Sequence, residues 1–224
     1  MLSKPSTAMP KRVGRLHVIT TETLQTRFSH ADIAQLCSAG GADVIQFREK
    51  RYQTTQTQLE TVSKMKEVLR GEHCSLVVND RSDIAKAGHA DLHIGPNDIA
   101  PAIAREILGP QAIIGATANN LTMLRQLQDA PIDYVGVGPV FGTKSKESPA
   151  ATLGLDGLRD MVQASPFPVI AIGSIQAEQV QAVLETGAHG VAVISGIVLQ
   201  EDPKAACELY RASIESFLKA KAAP

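Results

Sequence analysis

The chain has 224 residues, 44% hydrophobic and 20% charged, with a formal net charge of −1. Its length lies within the range of one barrel-type domain, and its apolar share is ample for one continuous core. The near-neutral balance gives no reason to expect nucleic acid or an anionic membrane as a partner, and no apolar run approaches the roughly 20 residues that a membrane helix needs.

Taken in chain order, residues 1–14, MLSKPSTAMPKRVG, are basic and carry Pro, Ser and Thr without the apolar stretch of a secretory signal; they read as a loosely ordered arm. From residue 15 to 224 a β-branched run, a polar or Gly-containing loop and a helical period alternate eight times. The expected strands are Leu16–Thr20, Val44–Phe47, Ser75–Asn79, Asp91–Ile94, Ile113–Ala116, Tyr134–Gly138, Val169–Ile172 and Val191–Ser195. Between them apolar residues recur at three and four, as in Leu59, Val62, Met65 and Leu69, with Gly71 where a helix stop is preferred. Asp202 and Pro203 open a last helix as cap and first residue, with Cys207, Tyr210, Ile214 and Phe217 on one face.

Strands alternating with helices imply parallel pairing, and eight such units imply a single-domain α/β fold, the (β/α)8 TIM barrel. The rival, an open doubly wound sheet, normally shows a Gly-rich first turn, and no such turn follows Thr20. Cys37, Cys74 and Cys207 are odd in number and far apart, which suits reduced packing thiols in a cytoplasmic protein.

In a TIM barrel the chemistry gathers at the carboxyl ends of the strands. After the second strand, alternation puts Gln46, Arg48 and Lys50 on one face and Ile45 and Phe47 on the other, so Gln46 and Arg48 are expected to point inward. An inward Arg needs an anion: either a buried Arg–Glu bridge or a bound phosphate. Asp80 and Asp98 follow the third and fourth strands and could hold Mg²⁺, a cation that takes few protein oxygens. Asp98 could equally cap the helix that Ile99-Ala100-Pro101 introduces. The sixth strand leads into Gly142-Thr143-Lys144-Ser145-Lys146, either an anion-binding loop or a solvated basic one. Gly173-Ser174 and Ile194-Ser195 follow strands seven and eight, where barrels often bind phosphate through backbone N–H groups. His89 and His93 are expected to be structural. Alone, these residues describe a Mg²⁺-assisted barrel that handles phosphorylated small molecules.

The segments QFREK, VVNDRSDIA, ADLHIGPND, IIGATANN, DYVGVGPVFGTKSK, PVIAIGSI and GVAVISGI, in that order, resemble those of the thiamine-phosphate synthase family over about residues 15–200. The resemblance implies that a pyrimidine pyrophosphate and a thiazole phosphate are joined to thiamine phosphate, with pyrophosphate departing first and the thiazole nitrogen capturing the pyrimidine-stabilised cation. It implies that Gln46, Phe47, Arg48, Glu49, Lys50, Asn79, Thr117 and Lys146 meet the pyrimidine pyrophosphate, with Arg48, Lys50 and Lys146 on its phosphates. Asp80 and Asp98 would hold Mg²⁺. Thr143, Lys144 and Ser145, with Gly173, Ser174, Ile194 and Ser195, would meet the thiazole phosphate.

Several positions depart from the family pattern. Ser174 takes the second place of a usual Gly-Gly pair and would be strained if that place needs a positive φ. Ser145 stands for a threonine and Thr117 for a serine, and the stretch from Asp80 to Asp98 is one residue short. The related thiazole tautomerase typically lacks the pyrophosphate and metal residues and has a catalytic histidine where this chain has Asn119. A non-catalytic sensor of thiamine precursors would bind ligand without Mg²⁺ or product. A sugar-phosphate epimerase would need two acids facing across the substrate. Small phosphorylated molecules are the expected partners, and a homo-oligomer is open to the chain.

Overall fold

A computed structural model describes residues 13–142 and 151–222. Within them the short β-branched runs form the eight strands β1 (Leu16–Thr20), β2 (Val44–Phe47), β3 (Ser75–Asn79), β4 (Asp91–Ile94), β5 (Ile114–Ala118), β6 (Tyr134–Val137), β7 (Val169–Ile172) and β8 (Gly190–Val193). Each pairs in parallel with the next and β8 returns to β1, so the barrel expected from the alternation is closed. The connecting helices are α1 (His30–Ala39), α2 (Thr55–Val68), α3 (Ser82–Ala87), α4 (Pro101–Leu108), α5 (Leu121–Gln126), α6 (Gly154–Ala164) and α7 (Val180–Glu185). A one-turn helix α8 (Ser195–Val198) and the long α9 (Pro203–Ala222) complete the chain. Among the described residues no helix is long and apolar enough to cross a membrane. Of the arm expected over residues 1–14, all but Val13 and Gly14 lies outside the described residues.

Strand alternation divides each strand between two environments. In β2, Ile45 and Phe47 join the apolar layer beneath the helices, while Gln46 faces the barrel interior, 4% exposed. Asp202 caps α9 by accepting from the Ala205 amide at 3.0 Å, and the Cys207, Tyr210 and Ile214 stripe is buried. Cys37 and Cys207 pack where α1 meets α9, and all three thiols are free.

Three strand ends near the site differ from the sequence expectation. β6 stops one residue early, at Val137 rather than Gly138. β5 runs on to Ala118 because Thr117 and Ala118 still pair with Gly136 and Val137 of β6. β8 stops at Val193, since Ile194 leaves extended geometry (φ −114°, ψ −89°) and Ser195 opens α8.

At the amino ends of the strands, aspartates tie neighbouring strands together. Asp43 accepts from the amides of Arg15 and Leu16 at 2.8 and 2.9 Å and pairs with Arg211 at 2.8 Å. Asp91 accepts from the Ile113 amide, and Asp133 from the Ile114 amide, both at 2.8 Å. The Arg105 guanidinium meets Asp133 at 2.7 Å. These bonds satisfy strand-start amides that the barrel ladder leaves over.

Candidate active site

The opposite end opens into a cavity of about 1140 Å³. Its floor includes His17, Ile19 and Tyr134 inside the barrel, and its walls are the strand ends. Of the residues expected at the site, Gln46, Arg48, Lys50, Asn79, Asp80, Asp98, Thr117, Gly173, Ser174, Ile194 and Ser195 all line it. Thr143, Lys144, Ser145 and Lys146 lie outside the described residues.

Phe47 and Glu49, of the segment implied to meet the pyrimidine pyrophosphate, do not line the cavity. The same alternation that aims Arg48 and Lys50 inward turns these two outward. Phe47 is buried edge-on against the His30 ring, with centroids 4.7 Å apart. The Glu49 carboxylate accepts from the Arg51 guanidinium at 2.6 Å, from Gln53 Nε2 at 3.0 Å and from the Arg51 amide at 2.7 Å. Arg51 also reaches Glu22 at 2.6 Å, so this group of Glu22, His30 and Glu49 already has its cation. Burial pushes the Glu49 carboxyl up, but the hydrogen bonds from Arg51 and His30 outweigh it and hold the group below the usual carboxylate range. Glu49 is thus an anchor for the β2–α2 turn that presents Arg48 and Lys50.

The Arg48 guanidinium has a different environment. It is half-buried, and among the described residues it has neither a hydrogen-bond nor an ion-pair partner; burial lowers its pKa, offset in part by the Asp80 charge at longer range. A buried cation without a counter-ion is unfavourable by several kcal/mol on the ~20 kcal/mol Born scale of full desolvation, so this geometry is set up to receive an anion. Beside it Lys50 pairs with Asp80.

Asp80 sits just past β3 at φ 65°, its amide donating to the His93 carbonyl at 2.8 Å. Asp tolerates this left-handed conformation better than most residues, which suits the sharp turn at the cavity edge. Burial raises its carboxyl pKa, but hydrogen bonding from Lys50 and the contact with Asp98 prevail and lower it. Asp98 shows the opposite sense: burial and the neighbouring Asp80 carboxylate raise it above the usual range. It does not cap the following helix; Ala100 holds that position, and the Asp98 carboxylate instead accepts from the Gly95 amide at 2.6 Å. Two carboxyl groups in direct contact, one ionised and one reluctant to ionise, form a donor set that fits a hard divalent cation, which would relieve their repulsion.

Across the mouth the lining is small and backbone-rich. Gly173 has φ 115°, and a Cβ there would come within 2.6 Å of Pro139 Cα, so the turn after β7 can approach the run after β6 only with glycine. Ser174 follows at φ 48°, the strained left-handed conformation anticipated for a non-glycine residue at this place. Ser195 begins α8, the short extra helix after β8 that barrels commonly use beside phosphates.

His93 was expected to be a packing residue, yet it lines the cavity. Its Nε2 lies 2.9 Å from Thr117 Oγ1 and its Nδ1 3.0 Å from the Tyr134 hydroxyl. The inward face of β4 carried the signal, since His93 alternates with buried Leu92 and Ile94.

The family model described as thiamine monophosphate synthase matches residues 16–197. The thiamine-phosphate synthase of Salinibacter ruber is 43% identical over 210 residues, covering 93% of this chain and 92% of that one. The thiamine-phosphate synthase of Chloroflexus aurantiacus is 38% identical over 201 residues, covering 89% and 92%. Among solved structures, thiamine phosphate pyrophosphorylase from Pyrococcus furiosus superposes with a TM-score of 0.82 at 34% identity, covering 91% of this chain and 96% of that one.

Proposed function

Since the chain belongs to the thiamine monophosphate synthase family, we propose that its cavity joins a pyrimidine pyrophosphate to a thiazole phosphate, giving thiamine phosphate and pyrophosphate. The C–O bond at the pyrimidine's exocyclic methylene breaks, its electron pair leaving with pyrophosphate, and the thiazole nitrogen lone pair forms the new C–N bond. Such a reaction depends on stabilising charge on the leaving group rather than on a strong base. The observation that carries the reading is the half-buried Arg48 guanidinium, directed into the cavity without an anion among the described residues.

In this reading Arg48 and Lys50 bind the departing pyrophosphate from the β2 side, with Asn79 and the Thr117 hydroxyl as further donors. Gln46, buried at the inner wall, contacts the pyrimidine end of the substrate. Asp80 and Asp98 would hold Mg²⁺, whose charge would help neutralise the leaving group. Lys146 would reach the same pyrophosphate. Thr143, Lys144 and Ser145 would meet the thiazole phosphate, together with Gly173, Ser174, Ile194 and Ser195, so the two phosphate groups enter from opposite sides of the mouth. The thiazole tautomerase reading is disfavoured by Asn119, which lines the cavity where that relative has its histidine, and by the retained cations and carboxylates.

The test is to supply both substrates with Mg²⁺ and follow products by chromatography. Thiamine phosphate and pyrophosphate in equal amounts are expected; folded protein that yields neither would overturn the reading.

A further inference from the structure

Inside the barrel, below the carboxylates, three polar side chains from adjacent strands form a continuous line. Tyr134 of β6 is 1% exposed, and its hydroxyl lies 3.0 Å from His93 Nδ1 on β4. The other ring nitrogen of His93 lies 2.9 Å from Thr117 Oγ1 on β5, at the cavity wall. Among the described residues, neither the Tyr134 hydroxyl nor the Thr117 hydroxyl has another hydrogen-bond partner. Two absent side chains make the line fit. A Cβ on Gly115 would lie 2.1 Å from Tyr134 Cζ, and one on Gly136 would lie 3.1 Å from His93 Cε1. The rings of His93 and Tyr134 stack with centroids 5.6 Å apart.

The chemistry of the groups gives the line a direction. Burial raises the Tyr134 pKa, so the phenol keeps its proton. A buried O–H left without an acceptor is unfavourable, and Nδ1 is the acceptor on offer. A neutral imidazole that accepts at Nδ1 carries its proton on Nε2. Nε2–H then donates to Thr117 Oγ1, which leaves the threonine's own proton free to point into the cavity. In the reverse order the threonine would spend its proton on the ring and offer the cavity only lone pairs.

We propose that His93, its tautomer fixed by Tyr134, is a positioning residue that makes the Thr117 hydroxyl a hydrogen-bond donor to the pyrophosphate leaving group. The inference rests on the reading of the cavity as a pyrophosphate site and deepens it. It assigns work to a histidine and a tyrosine that act through the threonine. Thr117, which replaces the family's usual serine, keeps the donor but adds a methyl group, and the imidazole fixes which way that donor turns.

Two measurements test it. The first is independent of turnover: ¹⁵N NMR of the imidazoles in labelled protein, with the His93 signals assigned by their loss in His93→Gln. A protonated Nε2 and a bare Nδ1 are expected, shifting on Tyr134→Phe; a protonated Nδ1 with a bare Nε2 would overturn the relay whether or not the protein turns over. The second is a kinetic cycle with Mg²⁺ saturating. His93→Leu should lower kcat/KM for the pyrimidine pyrophosphate about tenfold, the effect of one well-placed hydrogen bond, and leave KM for the thiazole phosphate unchanged. His93→Gln, whose amide N–H can still reach Thr117, should recover most of the loss. In a Thr117→Val background, His93→Leu should add little. Equal losses in both backgrounds, or an equal rise in both KM values, would show that His93 serves only packing. Wild-type protein that makes no thiamine phosphate would refute the pyrophosphate reading, while the NMR result would still decide the tautomer.

Discussion

Aspartates gather at both ends of this barrel, and the two sets have opposite surroundings. At the amino ends Asp43, Asp91 and Asp133 are each met by backbone amides, and Asp43 and Asp133 by an arginine as well. Their bonding is satisfied, and their product is a closed sheet. At the carboxyl ends Asp80 and Asp98 face one another, one carboxyl lowered and the other raised, beside an arginine that has no hydrogen-bond or ion-pair partner among the described residues. There, in the proposed reading, a metal ion and a pyrophosphate would complete the charge balance. The same residue type therefore reads as stability at one end and as function at the other, because the barrel fixes which end the loops converge on.

Substitutions at the two ends should separate accordingly. The largest effect is expected for Asp80→Asn, because Asn accepts the positive φ of this position and the change removes only charge. Steady-state assays should show Mg²⁺-dependent turnover falling about 10²–10³-fold, as when a key electrostatic group is lost, with the melting temperature nearly unchanged. Undiminished turnover at saturating substrates would remove Asp80 from the metal site. Next, Arg48→Gln should raise KM for the pyrimidine pyrophosphate about 10–100-fold while KM for the thiazole phosphate stays put. An equal rise in both would mean that Arg48 supports the barrel generally.

At the other end the signature reverses. Asp133→Asn takes the carboxylate from Arg105, which keeps its bonds to the Gly109, Ala112 and Pro131 carbonyls, and weakens a strand-start bond, so urea denaturation should show a loss of about 1–2 kcal/mol with kcat intact. His17 adds a pH dependence to this end. Burial lowers its pKa from 6.5 to about 4, against the smaller effect of its bond to the Gly14 carbonyl. The unfolded chain thus takes up a proton below pH 6.5 that the folded chain refuses until about pH 4, so stability is complete above 6.5 and declines as pH falls through that window. Between pH 7 and pH 5 this amounts to about 2 kcal/mol, and His17→Gln should flatten the profile of unfolding free energy against pH.

The smallest effect is expected at Ser174, at the functional end but outside the charged half. Ser174→Gly relieves the left-handed strain at φ 48° and also loosens the unfolded chain, so thermal melts should shift by the equivalent of less than about 1 kcal/mol. A large gain in thiazole phosphate affinity would show that serine distorts the turn; little change would show that its backbone N–H groups are already in place.

Much of the fold and part of the site could be read from the residues alone. Alternation in QFREK aims Gln46, Arg48 and Lys50 at the interior, and the structure has them lining the cavity. The same alternation turns Phe47 and Glu49 outward, where Phe47 packs on the His30 ring and Glu49 holds Arg51. The positive φ of Ser174 was legible because it occupies the second place of a glycine pair. The line from Tyr134 through His93 to Thr117 was not, because it depends on register between strands β4, β5 and β6. Only pairing reveals that the gap left by Gly115 is filled by the Tyr134 ring of the next strand, and that left by Gly136 by the His93 ring from two strands away.

The most direct test of the division between the two ends is calorimetric titration of inorganic pyrophosphate into wild-type and Arg48→Gln protein, with Mg²⁺ and then with chelator. Binding should require Mg²⁺ and weaken at least about tenfold in the variant. Equal affinity in all four titrations would contradict the assignment of the carboxyl-end charges to a metal-assisted pyrophosphate site.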